Sequence, residues 1–429
     1  MSSTMDLKKL SFLVYGLGVT GRSVIKFLKK KNLKNFYIWD DNKKSSFKDK
    51  RPLNLNKCIK EVDFIILSPG ISLLTSKYRN QLTKFKKKII TDLDLIFLFQ
   101  KNFKSIVVTG TNGKSTTCKI IKHILKKNNF RSLLGGNIGT PVLELNPKKN
   151  NFLIIEASSF QLSYSKFINP DFSILLNITN DHLDWHGNMK NYINAKFKIF
   201  QLQNKNQFSL LNKKFEKNFK SRKLLGKLII PKFKNYKKIK SKIKNSYLNN
   251  SMNDENMSHI FQLSKLLKIK TKSFVNCLST FKGLPHRYEI FLKRKNFIFI
   301  NDSKATSFEA TKFALQNSKN IFWIFGGLPK KKDKFILKNV KKNIIKSYII
   351  GKNINFFKSQ VKNKLNFSIT RNLKNSLIQI IEDLKSHKKN EVCTILLSPA
   401  AASYDQFENF EKRGEEFKQL SRNYARKYL

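Results

Sequence analysis

A chain of stacked α/β domains with mainly parallel sheets is predicted by three observations. Strands that end in glycine or a polar cluster alternate with helix-like segments from end to end, glycine-rich turns follow two of those strands, and 429 residues are too many for one core. Three domains fit that length. Hydrophobic residues make up 40% of the chain and aromatics 12%, mostly Phe, which is enough for packed cores and too much for a disordered chain.

The first unit opens with a strand over 11–15 that runs into Gly16-Leu17-Gly18-Val19-Thr20-Gly21 and a helix through about Lys30. A second strand over 35–39 ends at Asp40 and Asp41, and a third over 63–67 ends at Ser68-Pro69-Gly70. The pattern changes around 92–99, and a strand over 105–108 opens the next domain at Thr109-Gly110. Strands over 152–155 and 173–176 follow, the first ending at Glu156 and the second at Asn177 through Asp181-His182. The stretch 213–244 is lysine-rich, with Glu216 the only acid between Asp184 and Asp254, and reads as exposed, partly irregular surface. Gly283-Leu284-Pro285 precedes a last series of strands at 297–300, 321–325, 348–350 and 393–397, a third α/β domain.

Composition excludes several classes. Cys58, Cys118, Cys277 and Cys393 are too scattered for a disulfide framework or a zinc cluster, which fits a reducing compartment. The apolar run 10–15 leads straight into Gly16 and Gly18, as a buried strand does and a signal peptide does not. No stretch approaches the roughly 18 apolar residues of a membrane span, so a soluble, cytoplasmic protein without membrane insertion is expected. The formal charge of +57 is the kind of balance that suggests nucleic acid. Here the lysines are spread along the whole chain among Asn, Ile and Phe, with no aromatic-basic stacking motif, so no nucleic-acid partner is expected. Such a surface should still concentrate nucleotides and carboxylates, less so as salt rises.

The segment Gly16 to Gly21 matches G-x-G-x-x-G after a strand, with acids about 20 residues further on. Glycines there let backbone and helix N-terminus approach a pyrophosphate, which UDP-sugars and NAD both carry, so this motif alone does not choose between them. Thr109-Gly110-Thr111-Asn112-Gly113-Lys114-Ser115-Thr116 sits between an apolar strand and a helix expected to begin near Thr117, where a phosphate-binding loop belongs. Backbone amides would hold a triphosphate, Lys114 would neutralise its outer phosphates and the Ser115 hydroxyl would coordinate Mg²⁺. Val108 stands where the general pattern has its first glycine. Glu156 and His182 follow two strands of the same domain, and parallel strands present their C-terminal ends along one edge, which points both toward the phosphate loop.

These residues carry a family resemblance that extends over all three domains. The chain resembles the Mur ligases, and within them the branch that adds D-glutamate to UDP-N-acetylmuramoyl-L-alanine. Gly110 through Thr116, Gly136-Asn137-Ile138-Gly139, Glu156 through Leu162 and Asp181-His182-Leu183-Asp184 are similar to the central motifs. Gly283 through Arg287, Asn301 through Thr306 and Leu397 through Phe407 are similar to motifs that set this branch apart. The resemblance implies an N-terminal Rossmann-like UDP-binding domain over 1–94, a central P-loop ATPase over 95–283 and a C-terminal Rossmann-like amino-acid domain over 284–429. It implies ATP and Mg²⁺, an acyl-phosphate mechanism in peptidoglycan precursor synthesis, and a monomer.

Residue by residue, the resemblance implies Lys114, His182 and Lys196 as catalytic, with metal held by Ser115, Glu156, His182 and a carbamylated Lys196 formed with CO2. ATP would be bound by Gly110, Thr111, Asn112, Gly113, Lys114, Ser115, Thr116, Asn253, Arg287 and Asp302. The UDP substrate would meet Gly18, Thr20, Ser68, Asn137 and either Asp40 or Asp41, between which the sequence does not choose. Lys304, Thr306, Ser398 and Phe407 resemble the D-glutamate pocket, where cationic and hydroxyl donors suit a dicarboxylate. Two segments depart from the family pattern: Met252-Asn253-Asp254-Glu255-Asn256, and Lys331 between Lys330 and Asp333. A sister ligase for L-alanine, a diamino acid or folate is opposed by Lys304-Ala305-Thr306 and the segment 398–407. An NAD dehydrogenase would leave the phosphate loop and Glu156 without a task.

Overall fold

Short, wholly apolar segments such as Phe12-Leu13-Val14-Tyr15 and Phe64-Ile65-Ile66-Leu67 cannot face water on either side, and a parallel sheet covered on both faces by helices is the arrangement that suits them. The computed structural model describes residues 8–42, 48–100, 102–245, 247–248, 253–330, 333–336, 340–385 and 391–429; Met252 and Lys331 lie outside them. The chain divides into two compact units, Met1–Phe281 and Lys282–Leu429.

The first unit holds two parallel sheets. β1 (Phe12–Tyr15), β2 (Phe36–Trp39), β3 (Phe64–Leu67) and β4 (Ile89–Ile90) form one in the order β2-β1-β3-β4. β5 (Lys104–Thr109), β6 (Ser132–Gly136), β7 (Phe152–Glu156), β8 (Phe172–Leu175), β9 (Phe208–Leu211) and β10 (Lys227–Ile229) form the other in the order β10-β9-β8-β5-β7-β6. Alternation along β1 sends Phe12 and Val14 into a core shared with Val107, Leu153 and Ile155 of the second sheet, while Leu13 and Tyr15 pack with Leu55, Ile59 and Tyr164 on the other face. The helix Asp92–Phe99 links the two sheets and buries Leu93, Leu95 and Ile96 in the shared core.

The second unit has β11 (Glu289–Arg294), β12 (Phe297–Asn301), β13 (Ile321–Gly326), β14 (Ile344–Ile350), β15 (Phe367–Arg371) and β16 (Cys393–Leu397), in the order β11-β12-β16-β13-β14-β15. Among these six described strands, β11 pairs antiparallel with β12 and the other pairings are parallel. Trp323 and Phe325 fill the core on one face of β13, Phe322 and Ile324 the core on the other.

The lysine-rich stretch is more regular than expected. It contributes the edge strand β10 and the helices Glu216–Ser221 and Phe233–Lys240, which bury Phe219, Tyr236 and Ile239. A few apolar anchors on one face are enough to seat a helix whose other positions are lysine. Among the described residues no helix is long and apolar enough to cross a membrane.

Candidate active site

In a doubly wound sheet, ligands bind beyond the strand C-termini where the strand order reverses, and in the central sheet that point lies between β5 and β8. The loop Gly110 to Gly113 occupies it. The segment after β8 braces the loop: the Thr111 and Asn112 N–H groups donate to the Asn177 carbonyl and side-chain oxygens at 2.9 and 2.8 Å, and the Thr179 N–H donates to Thr111 Oγ1 at 3.0 Å. Gly113 adopts φ +82°, and a Cβ there would overlap the Asn256 carboxamide. The helix begins at Lys114, not near Thr117, and has no acid in its first turn, so its free amides and dipole favour an anion. The earlier start follows from Gly113, whose left-handed turn lets helical bonding begin at once.

Two lysines converge on this loop. Lys114 Nζ donates to the carbonyls of Gly110 and Thr111, both at 2.8 Å. Lys196, on the helix Met189–Phe197, donates to the same Gly110 carbonyl at 2.8 Å and lies 4.7 Å from the Tyr192 ring centroid. Lys196 is 1% exposed. Burial, reinforced by the Lys114 charge and opposed by Asp181, holds its amine well below the usual lysine range. Tyr192 closes the cluster with its hydroxyl 2.9 Å from Thr111 Oγ1.

Glu156 ends β7, which pairs with β5 so that Glu156 lies opposite Val108. Asn137, just past β6, donates from Nδ2 to Glu156 Oε1 at 2.9 Å. Glu156 Oε2 is buried with no hydrogen-bond partner. An orphaned carboxylate oxygen beside a phosphate loop fits a hard divalent cation. Among the described residues no three His, Cys, Asp or Glu side chains gather to hold a metal ion, so such a cation would need the Ser115 hydroxyl and phosphate oxygens as well. His182 flanks β5 from the β8 side, held at φ +54° with its ring 4.7 Å from Phe160 and 6.3 Å from Tyr192. His186, one turn on, is buried against Ser159, and burial first, then the charges of His182 and Lys196, push its pKa down to about 4.

The first glycine motif occupies the reversal between β1 and β3. Gly16 adopts φ +99°, and a Cβ on Gly21 would collide with the Gly16 carbonyl, which also accepts from Ser68 Oγ at 2.8 Å. Asp40 accepts the Leu17 N–H at 2.6 Å, whereas Asp41 is held by Tyr15 Oη at 3.0 Å and Trp39 Nε1 at 2.9 Å. Asp40 therefore shapes the loop itself. Gly18 is exposed and Thr20 half-buried at the start of the helix Val19–Lys30.

In the second unit, β12, β16 and β13 end side by side. Asp302, after β12, accepts from Ser398 Oγ at 2.7 Å and from the Tyr288 N–H at 3.0 Å, and burial raises its pKa to about 7. Ser398 is fully buried and spends its hydroxyl on Asp302. Lys304 Nζ sits 3.6 Å from the Phe410 ring centroid, while Phe407 packs on the core around Phe299 and Phe417. Thr306 and Arg287 are half-buried nearby in sequence.

Residues 108–274 match the family described as Mur ligase middle domain. Across almost its whole length the chain is 35% identical to the UDP-N-acetylmuramoylalanine–D-glutamate ligase of Rickettsia felis, covering 96% of this chain and 97% of that one. It is 36% identical to the ligase of the same name from Buchnera aphidicola, again over 96% and 97%. The chain belongs to the Mur ligase family. The Mur ligase fold recurs in MurF from Thermotoga maritima solved with ADP, at 14% identity, TM-score 0.54 and coverage of 99% and 100%. It recurs in the UDP-N-acetylmuramate-alanine ligase MurC of the same organism, at 15% identity, TM-score 0.55 and coverage of 96% and 99%.

For a Mur ligase the geometry adds residues that sequence reasoning passed over. Asn256 lies directly against the phosphate loop with its Oδ1 buried and unpartnered, whereas Asn253 donates to the Tyr247 carbonyl. Its signal was present, as the second Asn of a recognised segment. Asn177 and Thr179 stand in the segment leading to His182, and Tyr192 stands four residues before Lys196, but their bracing of the loop emerges only from the fold. Phe410, three residues beyond Phe407, supplies the ring beside Lys304.

Proposed function

We propose that this Mur ligase joins D-glutamate to UDP-N-acetylmuramoyl-L-alanine, with ATP converted to ADP and phosphate, as a cytoplasmic, monomeric enzyme of peptidoglycan precursor synthesis. The observation that carries the reading is identity of about one third, over nearly the full length, to ligases bearing that name. The division into domains 1–94, 95–283 and 284–429 belongs to the same reading, with UDP, ATP and amino-acid sites in that order.

A carboxylate and an amine do not condense unaided in water, so the carboxylate must first gain a leaving group. A carboxylate oxygen of the alanyl terminus attacks the γ-phosphorus, ADP departs, and an acyl phosphate forms. The D-glutamate amine then adds to the carbonyl carbon, and the tetrahedral intermediate loses its proton to solvent or a base and expels phosphate. Lys114 would leave the Gly110 and Thr111 carbonyls, to which it now donates, for the outer phosphates and offset their charge. Thr111, Asn112, Gly113 and Thr116 supply donors along the loop, with Asn253, Arg287 and Asp302 assigned to the nucleotide. Mg²⁺ would rest on Ser115, Glu156 and His182, where it would draw charge from the phosphoryl oxygens.

Lys196 is suited to carbamylation because burial favours its neutral amine. Its lone pair would bond CO2 and one proton would leave, so that the neutral amine would become an anionic carbamate able to hold a metal ion. Gly18, Thr20, Asp40, Asp41, Ser68 and Asn137 are assigned to the UDP substrate, and Lys304, Thr306, Ser398 and Phe407 to D-glutamate. In that set Ser398 would act through Asp302 and Phe407 through the core, with Phe410 facing Lys304.

The test is phosphate release from ATP with UDP-N-acetylmuramoyl-L-alanine and D-glutamate, L-glutamate, L-alanine or no amino acid. Release that requires D-glutamate, with a product heavier by one glutamyl unit, is expected. Turnover with another amino acid would move the chain to a sister branch.

A further inference from the structure

The three strand ends of the second unit are joined by one buried cation that no motif singled out. Arg413, in the first turn of the helix Phe410–Tyr428, is 1% exposed and among the largest fully buried side chains of the molecule. Its Nε donates to Ser303 Oγ at 3.0 Å, and its Nη2 donates to the Ser303 carbonyl at 2.8 Å and the Ala401 carbonyl at 3.0 Å. Its Nη1 lies beside Gly327, where an added Cβ would stand 3.3 Å from it. Ser303 belongs to the turn after β12, Gly327 to the turn after β13 and Ala401 to the turn after β16. One planar group thus bonds two of the turns and lies beside the third.

Among the described residues no carboxylate pairs with this guanidinium, and its bonded acceptors are two carbonyls and one hydroxyl. Burial lowers its pKa to about 10, partly opposed by Asp405, so it remains charged at neutral pH. A buried cation bonded only to neutral acceptors costs stability that an apolar side chain would not, which calls for a role beyond filling space. Lys304 follows Ser303 directly and Thr306 lies three residues on, so two of the four side chains assigned to D-glutamate hang from the turn that Arg413 holds.

We propose that Arg413 is a positioning residue for the amino-acid site, fixing the turns after β12, β13 and β16 against one another and lending positive potential to a site for a dicarboxylate. The inference rests on the D-glutamate reading above. Preorganised turns hold a ligand without ordering cost at each binding event, so the loss should appear in amino-acid binding.

The experiment is steady-state kinetics of the full chain with Arg413→Lys, Arg413→Ala and Ser303→Ala, varying each substrate separately. In both Arg413 variants the KM for D-glutamate is expected to rise about tenfold or more while that for ATP stays within about twofold, the pattern of a lost ground-state contribution confined to one substrate. Guanidinium ion at low, non-denaturing concentration should lower the D-glutamate KM of Arg413→Ala. Lysine, a point charge, should not replace a planar fork that reaches three turns. Equal changes in all three KM values, or an unchanged D-glutamate KM, would overturn the proposal. If the Arg413 variants do not fold, Ser303→Ala decides, since it removes one acceptor: a several-fold rise for D-glutamate alone supports the role, and no rise overturns it. Wild-type enzyme that ignores D-glutamate would instead sink the reading of function, which separates the two failures.

Discussion

The first unit contains the same backbone device twice, a glycine-rich turn at the reversal point of a parallel sheet, and the two copies differ in what holds them. The turn at Gly16 to Gly21 is pinned by an acid, with Asp40 occupying the Leu17 N–H and Ser68 the Gly16 carbonyl. The turn at Gly110 to Gly113 is braced by neutral Asn177 and Thr179, and two lysines converge on the Gly110 carbonyl. A fixed anion beside the first loop disfavours a highly charged polyphosphate there, whereas the second has neutral braces and the Lys114 ammonium, which suits the γ-phosphate that the proposed reaction transfers. Fold alone does not separate a nucleotide that is only bound from one that reacts. The charge of the bracing side chains does.

The largest effect should come from the second loop. Lys114→Met is expected to lower kcat about 10³-fold, the scale of removing one preorganised charge at a transferring group, with the KM for the UDP substrate little changed. Single-turnover phosphate release checks this, and an intact rate would erase the contrast between the loops. Lys196→Ala should cost about 10²-fold or more and be partly restored by added short carboxylates, which replace the anionic ligand. Because burial depresses the Lys196 pKa, the fold favours the neutral amine. Stability should fall as pH is lowered from the ordinary lysine range down to that depressed value and level off below it, whereas carbamate formation should fall as pH passes the depressed value itself, and bicarbonate-dependent activity across pH would follow the latter.

Effects at the first loop should be smaller and confined to the UDP substrate. Asp40→Ala removes acceptors from the Leu17 and Asn42 N–H groups and should raise the KM for UDP-N-acetylmuramoyl-L-alanine about tenfold, roughly 1.4 kcal/mol, leaving ATP binding alone. A change in the ATP KM instead would blur the assignment of the two loops. Smallest is Ser68→Ala, which gives up one hydrogen bond to the Gly16 carbonyl and should cost about 1 kcal/mol in thermal or denaturant unfolding.

Much of this was legible in the sequence, for identifiable reasons. β1, β3, β5, β7 and β13 are apolar runs that stop at glycine, at an acid or, for β3, at Ser68-Pro69-Gly70, and the sequence places their bounds to within a residue or two. β4 has two residues and β10 three, too short for any period to register, and β11 has a half-exposed, irregular pattern that alternation does not capture. The helices of the lysine-rich stretch were hidden because only Phe219, Tyr236 and Ile239 mark their buried faces. In the candidate site, Lys114 and Glu156 are recognisable because phosphate and metal chemistry call for those residue types after those strands, whereas Lys196 enters only through the family resemblance. Asn177, Thr179 and Arg413 act through hydrogen bonds to backbone brought close only by folding, which local spacing does not encode. Phe407 and Phe410 share one segment, and only the packing of the helix Phe410–Tyr428 tells core ring from site ring.

The most direct test of the central claim follows an oxygen atom. UDP-N-acetylmuramoyl-L-alanine labelled with 18O in its terminal carboxylate is turned over with ATP and D-glutamate, and the released phosphate is analysed by mass. Activation as an acyl phosphate requires one labelled oxygen to leave with each phosphate. Phosphate released without label would mean that water, not the carboxylate, attacks ATP, and would contradict the account.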